Sequence, residues 1–359
     1  MIIGVDAGAL SIRDKRLKVG VYRVTLHLLK ELSNIDTKND YRLYSFLPID
    51  RKVMNEFGTN IQNIVVRPTF AWSAIQLPIE LARHPVDVFL GLSQMLPITS
   101  AKKIGFVYDV GFLHYPDAYP GSLDRLKKQT ILLTKRADYI VSISKTTQKD
   151  IVDFYGFPQN KITVSYPGID TRFTLKGPTY KNTNPYFLFV GALKRGKNIP
   201  FMLKSFSEFL KTSKKQYDLL LIGGDYWLDP EIGNTIQALD LESRVKIKGF
   251  VTDEDLPSYY RGAQALLVTS FWEGFCLPAV EAMASGCPVL YTKTGSLREI
   301  VGYAGIMVSS LYPSYLAHAM KKVTEHTVRE KLVTNGLTMT KRYDWHSFAR
   351  TVYDVIYSV

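Results

Sequence analysis

Short apolar runs of strand length alternate along this chain with segments whose apolar residues recur at helical spacing. The runs predicted as strands are IIGVD, YRLYSFLP, NIVVRP, PVDVFLGL, KKIGFVY, ADYIVSIS and KITVSY in the first half and YFLFV, DLLLIGG, RVKIKG and ALLVTS in the second. The predicted helices lie near residues 21–32, 71–82 and 121–137, begin at 145 and 198, and cover 277–285. This alternation predicts an α/β protein whose parallel sheets are covered by helices on both faces.

A polar stretch near the middle of the chain, TRFTLKGPTYKNTN at residues 171–184, has no apolar period and contains Gly and Pro. Such a composition is typical of a linker. A length of 359 residues is also what two domains require. We therefore predict one domain over residues 1–170, a second over 185–343, and a final amphipathic helix over 344–359.

The composition is that of an ordinary globular protein, with 46% hydrophobic and 22% charged residues. No apolar run reaches the roughly 18–20 residues of a membrane span, and no basic region precedes the apolar N-terminus, which favours a buried first strand. The two cysteines, Cys276 and Cys287, are too few for a disulfide framework and lack the spacing of zinc ligands. We expect a cytoplasmic protein.

The net charge of +12 is concentrated in the first half, where residues 1–180 hold 24 Lys and Arg against 16 Asp and Glu. The basic residues cluster at Arg13, Lys15, Arg16 and Lys18 and at Arg125, Lys127, Lys128, Lys135 and Arg136. No nucleic-acid-binding motif accompanies them, so we expect no nucleic acid partner. Two interpretations stay open: a solvated helix face, or contact with an anionic membrane surface through the predicted helix 121–137.

The stretch SFWEGFCLPAVEAMASGCPVLYTKTGSLRE at residues 270–299 carries the strongest chemical signal. It follows a predicted strand, turns at Gly274 and continues as a helix with Pro278 in its first turn. Free N–H groups and the dipole at a helix N-terminus favour an anion. We expect Glu273 before the turn and Glu281 on the first helical turn to border that anion and accept hydrogen bonds from hydroxyls. These are the needs of a sugar nucleotide, although such carboxylates could also simply cap the helix and be solvated.

The same stretch, read as E-G-F-x-L-P-x-x-E-A-M-A-x-G-x-P-V, resembles the signature of retaining glycosyltransferases of family 4. The resemblance implies the GT-B fold, two Rossmann-like doubly wound parallel-sheet domains facing across a cleft, with the last helix packing back on the first domain. It assigns Glu273 to hydroxyls of the donor sugar, Glu281 to the ribose, and the backbone N–H groups of Phe275, Cys276 and Leu277 to the diphosphate. Cys276 stands where the family usually has Gly, and we expect a small residue to fit there.

Further positions follow from the resemblance. Gly20 matches the glycine of the first βα loop, and Lys197 matches a basic residue that binds the donor diphosphate. Arg195 is the candidate for a second basic residue, with a solvent-exposed loop charge as the alternative. Phe250 and Val251 correspond to the segment that contacts the nucleotide base.

The segment KKIGFVYDVGFLHYPDAY resembles the family's strand that ends in His-Asp. Asp109 matches, but Tyr108 replaces the His that lies beside the reacting centre. A tyrosine is a poor proton shuttle at neutral pH. His114 is either a substitute general base or a loop histidine.

No metal ion or cofactor is expected. The acidic run at residues 253–255 could be mistaken for a D-x-D metal site, but Thr252 and Asp255 have the spacing of a capping pair. The donor implied by the resemblance is a GDP-, UDP- or dTDP-hexose, and the acceptor is a hydroxyl of a glycan or lipid-linked sugar. FLHYPDAY and SISKTTQKDI favour the mannosyl- and rhamnosyl-transferring branch. The alternatives are a catalytically impaired sugar-nucleotide-binding protein, or another GT-B enzyme such as an epimerase or phosphorylase.

Overall fold

Two parallel β-sheets, one in each of two units, organise the chain. The computed structural model describes residues 1–14, 17–18, 20–224 and 228–359. The first unit comprises Met1–Leu113, Pro120–Gly168 and Asp344–Val359, and the second comprises His114–Tyr119 and Ile169–Tyr343. Residues 171–184, the predicted linker, contain no helix or strand and belong with the second unit.

The sheet of the first unit has seven parallel strands among the described residues. They are β1 (Ile2–Asp6), β2 (Asp40–Ser45), β3 (Ile61–Val65), β4 (Val88–Gly91), β5 (Lys102–Val107), β6 (Tyr139–Ser142) and β7 (Ile162–Val164). Their order is β3-β2-β1-β4-β5-β6-β7, so the direction of winding reverses between β1 and β4. Val5 of β1 lies opposite Leu43 of β2 and Leu90 of β4, and all three are buried because both faces of the sheet are covered.

The described helices of the first unit include the four predicted ones, one of them in part, and two helices of four residues that were not predicted. They are α1 (Gly20–Ile35), α2 (Arg51–Met54), α3 (Leu77–Arg83), α4 (Gly111–His114), α5 (Leu123–Arg136) and α6 (Lys145–Tyr155). The helix predicted over 71–82 is confirmed in part, since its first turn is a wide π-helix, Trp72–Gln76, that precedes α3. The predicted start of α6 is confirmed, because the Ser144 side chain accepts a hydrogen bond from the Thr147 N–H at 3.1 Å.

The sheet of the second unit has six parallel strands within the described part of the chain. They are β8 (Tyr186–Val190), β9 (Asp218–Ile222), β10 (Val245–Gly249), β11 (Leu266–Val268), β12 (Val289–Thr292) and β13 (Gly305–Val308). Their order is β10-β9-β8-β11-β12-β13, so winding reverses between β8 and β11. The predicted fold class, two doubly wound parallel sheets, is confirmed.

The helices of the second unit cover its sheet and enclose an aromatic core. They are α7 (Ile199–Thr212), α8 (Pro230–Ala238), α9 (Leu256–Gly262), α10 (Leu277–Ala284), α11 (Leu297–Ile300), α12 (Pro313–Val323) and α13 (His326–Thr340). In the core, the Phe187 ring of β8 meets the Phe209 ring of α7 edge to face at 5.2 Å. The residues of α7 that face inward recur at helical spacing, and Pro200 can stand in its first turn because the N–H it lacks would have no helical partner there.

The last helix, α14 (Trp345–Ser358), belongs to the first unit. Its Trp345 ring stacks on the His27 ring of α1, with centroids 4.7 Å apart. Gly168 is required beside it, because a Cβ at that position would lie 2.2 Å from the backbone nitrogen of Trp345. A side-chain oxygen of Asp344 accepts from the Ser347 N–H at 2.8 Å and caps the helix.

Candidate active site

The reversal of winding in the second sheet places two loops side by side. One follows β8 and carries Lys197; the other follows β11 and carries Glu273. In open α/β sheets, ligands bind beyond the carboxyl ends of the strands at such a reversal. The structure therefore brings together, from positions 76 residues apart, the two charged side chains that the sequence analysis singled out.

Lys197 and Glu273 form an ion pair. The Lys197 Nζ lies 2.6 Å from Glu273 Oε1, and the two side chains are 21% and 12% exposed. Ser270 donates a second hydrogen bond to the same oxygen at 2.5 Å. Such charge-assisted hydrogen bonds are stronger than neutral ones. Glu273 Oε2 accepts no hydrogen bond from any described residue, so this oxygen can accept one from a ligand hydroxyl.

Backbone and hydroxyl contacts fix both loops. The Thr269 hydroxyl donates to the carbonyl oxygens of Lys197 and Asn198 at 2.9 and 3.2 Å, and the Phe271 N–H donates to the Gly196 carbonyl at 3.0 Å. The loop geometry is thus set by hydrogen bonds between the two loops, independently of the ion pair.

A third loop, after β12, holds the backbone of Glu273. The Glu273 carbonyl accepts from the Ser296 N–H at 2.9 Å and from the Ser296 hydroxyl at 3.1 Å. Gly295 precedes this contact with φ +50°, and a Cβ there would lie 2.2 Å from the Glu273 carbonyl oxygen. Only glycine allows so close an approach with this backbone conformation.

Glu281 is more deeply placed than expected. It is the fifth residue of α10, so the prediction that it lies on the first helical turn is wrong. Its side chain is 4% exposed, and its Oε2 accepts from the hydroxyl of the buried Tyr260 at 3.0 Å. A buried carboxylate needs such donors because desolvation otherwise opposes its charge.

Cys276 occupies the N-cap position of α10 with φ 75° and ψ 72°, in the left-handed region. The position accommodates the cysteine, but its backbone conformation is one that favours glycine. Burial raises the pKa of the Cys276 thiol, and it raises the pKa of Cys287 to about 12. Both cysteines are therefore neutral thiols and poor nucleophiles at neutral pH.

Comparison with known proteins now decides the family. Residues 41–173 match the model of Glycosyltransferase Family 4, and residues 171–339 match that of Glycosyl transferases group 1. The chain is a family-4 glycosyltransferase with the GT-B fold. It is 24% identical to O-antigen chain mannosyltransferase B of Escherichia coli over 271 residues, covering 72% of this chain and 71% of that protein.

Solved structures share this fold over nearly their whole length. Sucrose-phosphate synthase from Thermosynechococcus elongatus has a TM-score of 0.79 at 17% identity, with 99% of this chain and 98% of that chain covered. HepE from Anabaena, solved in complex with UDP and glucose, has a TM-score of 0.75 at 16% identity, with 100% and 99% covered.

The remaining donor-site candidates of this glycosyltransferase lie in the same unit. Arg195 is exposed in a single 3₁₀ turn, Arg195–Lys197. Phe250 is 42% exposed just after β10, and Val251 is half-buried. Gly274 and Phe275 are buried, and the Phe275 ring packs edge-on against Tyr343 at 5.3 Å. Their roles toward a donor stay predictions.

In the first unit, Tyr108 directly follows β5 and is held in place by its hydroxyl, which donates to the Leu92 carbonyl at 2.8 Å. Burial, with a contribution from Asp6, raises the pKa of Tyr108, so it cannot exchange protons near neutral pH. Asp109 Oδ1 accepts from the Gly111 N–H at 2.9 Å, at the start of α4.

Gly20 is the first residue of α1 rather than part of the loop before it. A Cβ at Gly20 would meet no atom within 4 Å, so packing among the described residues does not require a glycine. Of the predicted basic cluster beside it, Lys15 and Arg16 lie outside the described residues.

The predicted capping pair is confirmed. The Thr252 hydroxyl donates to Asp255 Oδ2 at 2.8 Å and accepts from the Asp255 N–H at 3.2 Å, immediately before α9. Across the described ranges, no group of three or more His, Cys, Asp or Glu could hold a metal ion.

Sequence reasoning missed the residues that hold the two carboxylates: Ser270, Tyr260, Gly295 and Ser296. Ser270 could have been noticed because it lies three residues before Glu273 in the same loop. Tyr260 could not, because its contact with Glu281 depends on how α9 packs beside α10.

Proposed function

We propose that this glycosyltransferase moves a hexose from a nucleotide-diphosphate sugar to a hydroxyl of a glycan or lipid-linked acceptor, with retention at the anomeric carbon. The observation that carries the proposal is the Lys197–Glu273 pair at the winding reversal of the second sheet. It puts a fixed cation for phosphate beside a carboxylate oxygen for sugar hydroxyls, which is the combination that a sugar nucleotide needs.

The two glutamates would bind the sugar and the ribose of the donor. Glu273 Oε2 would accept from the sugar hydroxyls, and Glu281, held by Tyr260, would accept from the ribose. Phe250 and Val251 would contact the base.

Charge on the departing diphosphate would be stabilised by Lys197, by Arg195, and by the N–H groups of Phe275, Cys276 and Leu277 at the start of α10. A bound diphosphate would share Lys197 with Glu273. With these donors in place, we propose that the reaction needs no metal ion and no cofactor.

The acceptor proton would pass to the leaving phosphate, without a dedicated protein base. The raised pKa of Tyr108 supports this, because the residue in the family's histidine position cannot take up a proton at neutral pH. Asp109, after the same strand, would contact the acceptor or the transferred sugar.

A mannose-, rhamnose- or glucose-like sugar and a role in cell-surface polysaccharide or glycolipid synthesis are supported by two likenesses. One is to an O-antigen chain mannosyltransferase. The other is to a fold neighbour solved with UDP and glucose. The family assignment favours transfer over the epimerase and phosphorylase alternatives.

We further propose that α5 contacts the inner, anionic face of a membrane, which would make this a peripheral cytoplasmic protein. None of the described helices is long and apolar enough to cross a membrane. Apart from the acidic Asp124 in its first turn, the exposed side chains of α5 recur at helical spacing and comprise three basic and two apolar residues, namely Arg125, Lys128, Ile131, Leu132 and Lys135. A face of this kind combines attraction to acidic headgroups with apolar insertion.

A second candidate function is a protein that binds a sugar nucleotide without turning it over. Tyr108 in place of the family's histidine is the observation that favours it. Donor hydrolysis or transfer would contradict this alternative, whereas donor binding without turnover would support it.

The first experiment is a thermal-shift panel with UDP-, GDP-, ADP- and dTDP-sugars, since a ligand that binds only the folded state raises its stability. We expect one base to give a clear rise that is lost in Lys197→Ala. No rise with any donor would remove Glu273, Glu281 and Lys197 from a donor site. Sedimentation with anionic and neutral vesicles, comparing the wild type with a Lys128→Glu, Lys135→Glu variant, tests the α5 surface in parallel.

A further inference from the structure

Two consecutive rings of the β11 loop stack on two consecutive rings of the segment His114–Tyr119. The Trp272 ring lies parallel to the His114 ring, with centroids 3.6 Å apart and an interplanar angle of 13°. The Phe271 ring stacks on the Tyr115 ring at 5.4 Å and 24°. We call these four residues the aromatic ladder. The segment His114–Tyr119 belongs to the second unit, although the residues on both sides of it belong to the first.

The aromatic ladder holds the ring of Trp272, which lies in the loop between residues whose backbone groups are hydrogen-bonded. At one end, the Ser270 carbonyl accepts from the Thr294 hydroxyl at 2.9 Å; at the other, the Glu273 carbonyl accepts from Ser296. Between these ends, the Phe271 N–H donates a hydrogen bond to the Gly196 carbonyl. The side chain of Trp272, the immediate neighbour of Glu273, is located by His114.

We propose that His114 is a positioning residue, whose ring face holds Trp272 and thereby keeps the Glu273 carboxylate in place beside Lys197. This inference rests on the proposed function, because it assumes that Glu273 orients the donor sugar. It assigns to His114 a role different from that of a general base. Stacking uses the flat face of the ring and needs no proton, whereas a base works through an edge nitrogen directed at the substrate.

A pair of variants distinguishes the stacking role of His114 from a general-base role. His114→Phe keeps a flat ring and removes the nitrogens, and His114→Ala removes the ring. We expect His114→Phe to retain kcat/KM within about three-fold, with an unchanged pH profile. We expect His114→Ala to lower kcat/KM by about ten- to a hundred-fold, because small misplacements of a site residue have effects of that size.

The first unit supplies a matched control, since its His27 stacks on Trp345 in the same way, at 4.7 Å and 6°. His27→Ala removes a His–Trp stack and should change thermal stability without changing kcat/KM. If His114→Phe is as inactive as His114→Ala, the residue acts through its nitrogens and the proposal is overturned. If His114→Ala keeps full activity, the ladder does not position Glu273, and the proposal fails equally.

A readout without catalysis separates failure of this inference from failure of the proposed function. Thermal unfolding of His114→Ala, Trp272→Ala and the double variant forms a double-mutant cycle. Non-additive changes in stability show that the two rings stabilise each other. Additive changes show that they do not, and overturn the proposal. If the cycle is non-additive but no sugar nucleotide is bound or turned over by the wild type, the proposed function fails, and the positioning of Glu273 toward a donor fails with it.

Discussion

The two sheets reverse their winding at equivalent places, and the carboxylates beside these two places differ in their partners. In the second unit, Glu273 lies 2.6 Å from Lys197 and remains 12% exposed. In the first unit, Asp6 ends β1 with 1% exposure, and its Oδ2 has no hydrogen-bond partner among the described residues. Burial raises the pKa of Asp6. One reversal thus keeps an accessible charged pair in place, whereas at the other burial opposes the charged form of the carboxyl.

This difference suits the two kinds of ligand proposed for a glycosyltransferase. The donor carries a diphosphate, for which a paired and partly exposed cation is useful. The acceptor group is a hydroxyl, which carries no charge for a fixed cation to neutralise. Variants in each unit test this contrast.

The largest effect is expected for Lys197→Ala. Removing a hydrogen bond to a charged group should cost about 1.5–3 kcal/mol, seen as a roughly ten- to hundred-fold lower kcat/KM for the donor. Steady-state kinetics with the donor found in the thermal-shift panel measures it.

A matched control for this variant exists in the same unit. Lys246 Nζ lies 2.6 Å from Asp218 Oδ2, but Asp218 begins β9, at the amino end of the strands. Lys246→Ala should lower thermal stability and leave kcat/KM unchanged. Equal losses of activity in the two variants would mean that the pair at the reversal has no special role.

A slightly smaller effect is expected for Tyr260→Phe, which removes only the hydroxyl that donates to the buried Glu281. Losing a hydrogen bond to a charged group should weaken donor binding by about 1–2 kcal/mol, or roughly ten-fold in KM, with little change in kcat. Tyr291→Phe is the control, because the Tyr291 hydroxyl donates to the Gly302 carbonyl at 3.0 Å in the same unit, rather than to either glutamate. A change in kcat alone would argue against a role for Glu281 in holding the ribose.

The stability of the first unit should depend on pH through Asp6. Because the pKa of Asp6 is raised above its ordinary value of 3.8, the folded state holds this proton after the unfolded chain has lost it. Stability contributed by Asp6 should therefore fall as the pH rises from about 4 through the raised pKa, by about 1.4 kcal/mol for each pH unit between the unfolded and folded pKa values. Asp6→Asn should remove this fall in urea titrations at several pH values.

For Asp36, in the same unit, the change of stability with pH has the opposite sign. Burial opposes its charge, but hydrogen bonds from Asn39 and Tyr41 lower its pKa on balance. Its contribution is present above about pH 4 and is lost as the pH falls through the lowered pKa. Asp36→Asn should thus lose stability at neutral pH and differ less from the wild type in acid. Parallel pH profiles for the two variants would contradict the contrast between a fully and a partly hydrogen-bonded carboxylate.

The family resemblance assigned Lys197 and Glu273 to the same donor, and the fold explains why the two residues meet. Lys197 and Glu273 each follow a buried apolar run that reads as a strand, and the carboxyl ends of parallel strands share one edge. The burial of Glu281 could not be predicted in the same way, because it depends on Tyr260, 21 residues away and on a different helix. Such contacts arise from packing between helices and strands, and the local periodicity of the sequence does not predict them.

Backbone conformation at single residues was the other missing information. Gly295 could be noticed as a glycine, but the reason for it is an approach of 2.2 Å that a Cβ would make to the Glu273 carbonyl. Cys276 gave no local signal at all, since nothing in its own side chain indicates a φ of 75°. Only the departure from a glycine in the family pattern marked this position.

The smallest expected effect follows from that residue. A left-handed conformation costs a non-glycine residue about 1–2 kcal/mol, and part of the gain from glycine is offset by its larger entropy when unfolded. Cys276→Gly should therefore raise the free energy of unfolding by about 0.5–1 kcal/mol in urea titrations. Cys276→Ala removes the same thiol but keeps the strained backbone, so it should give no gain. If both variants are equally stable, the thiol rather than the backbone determines the effect at the start of α10.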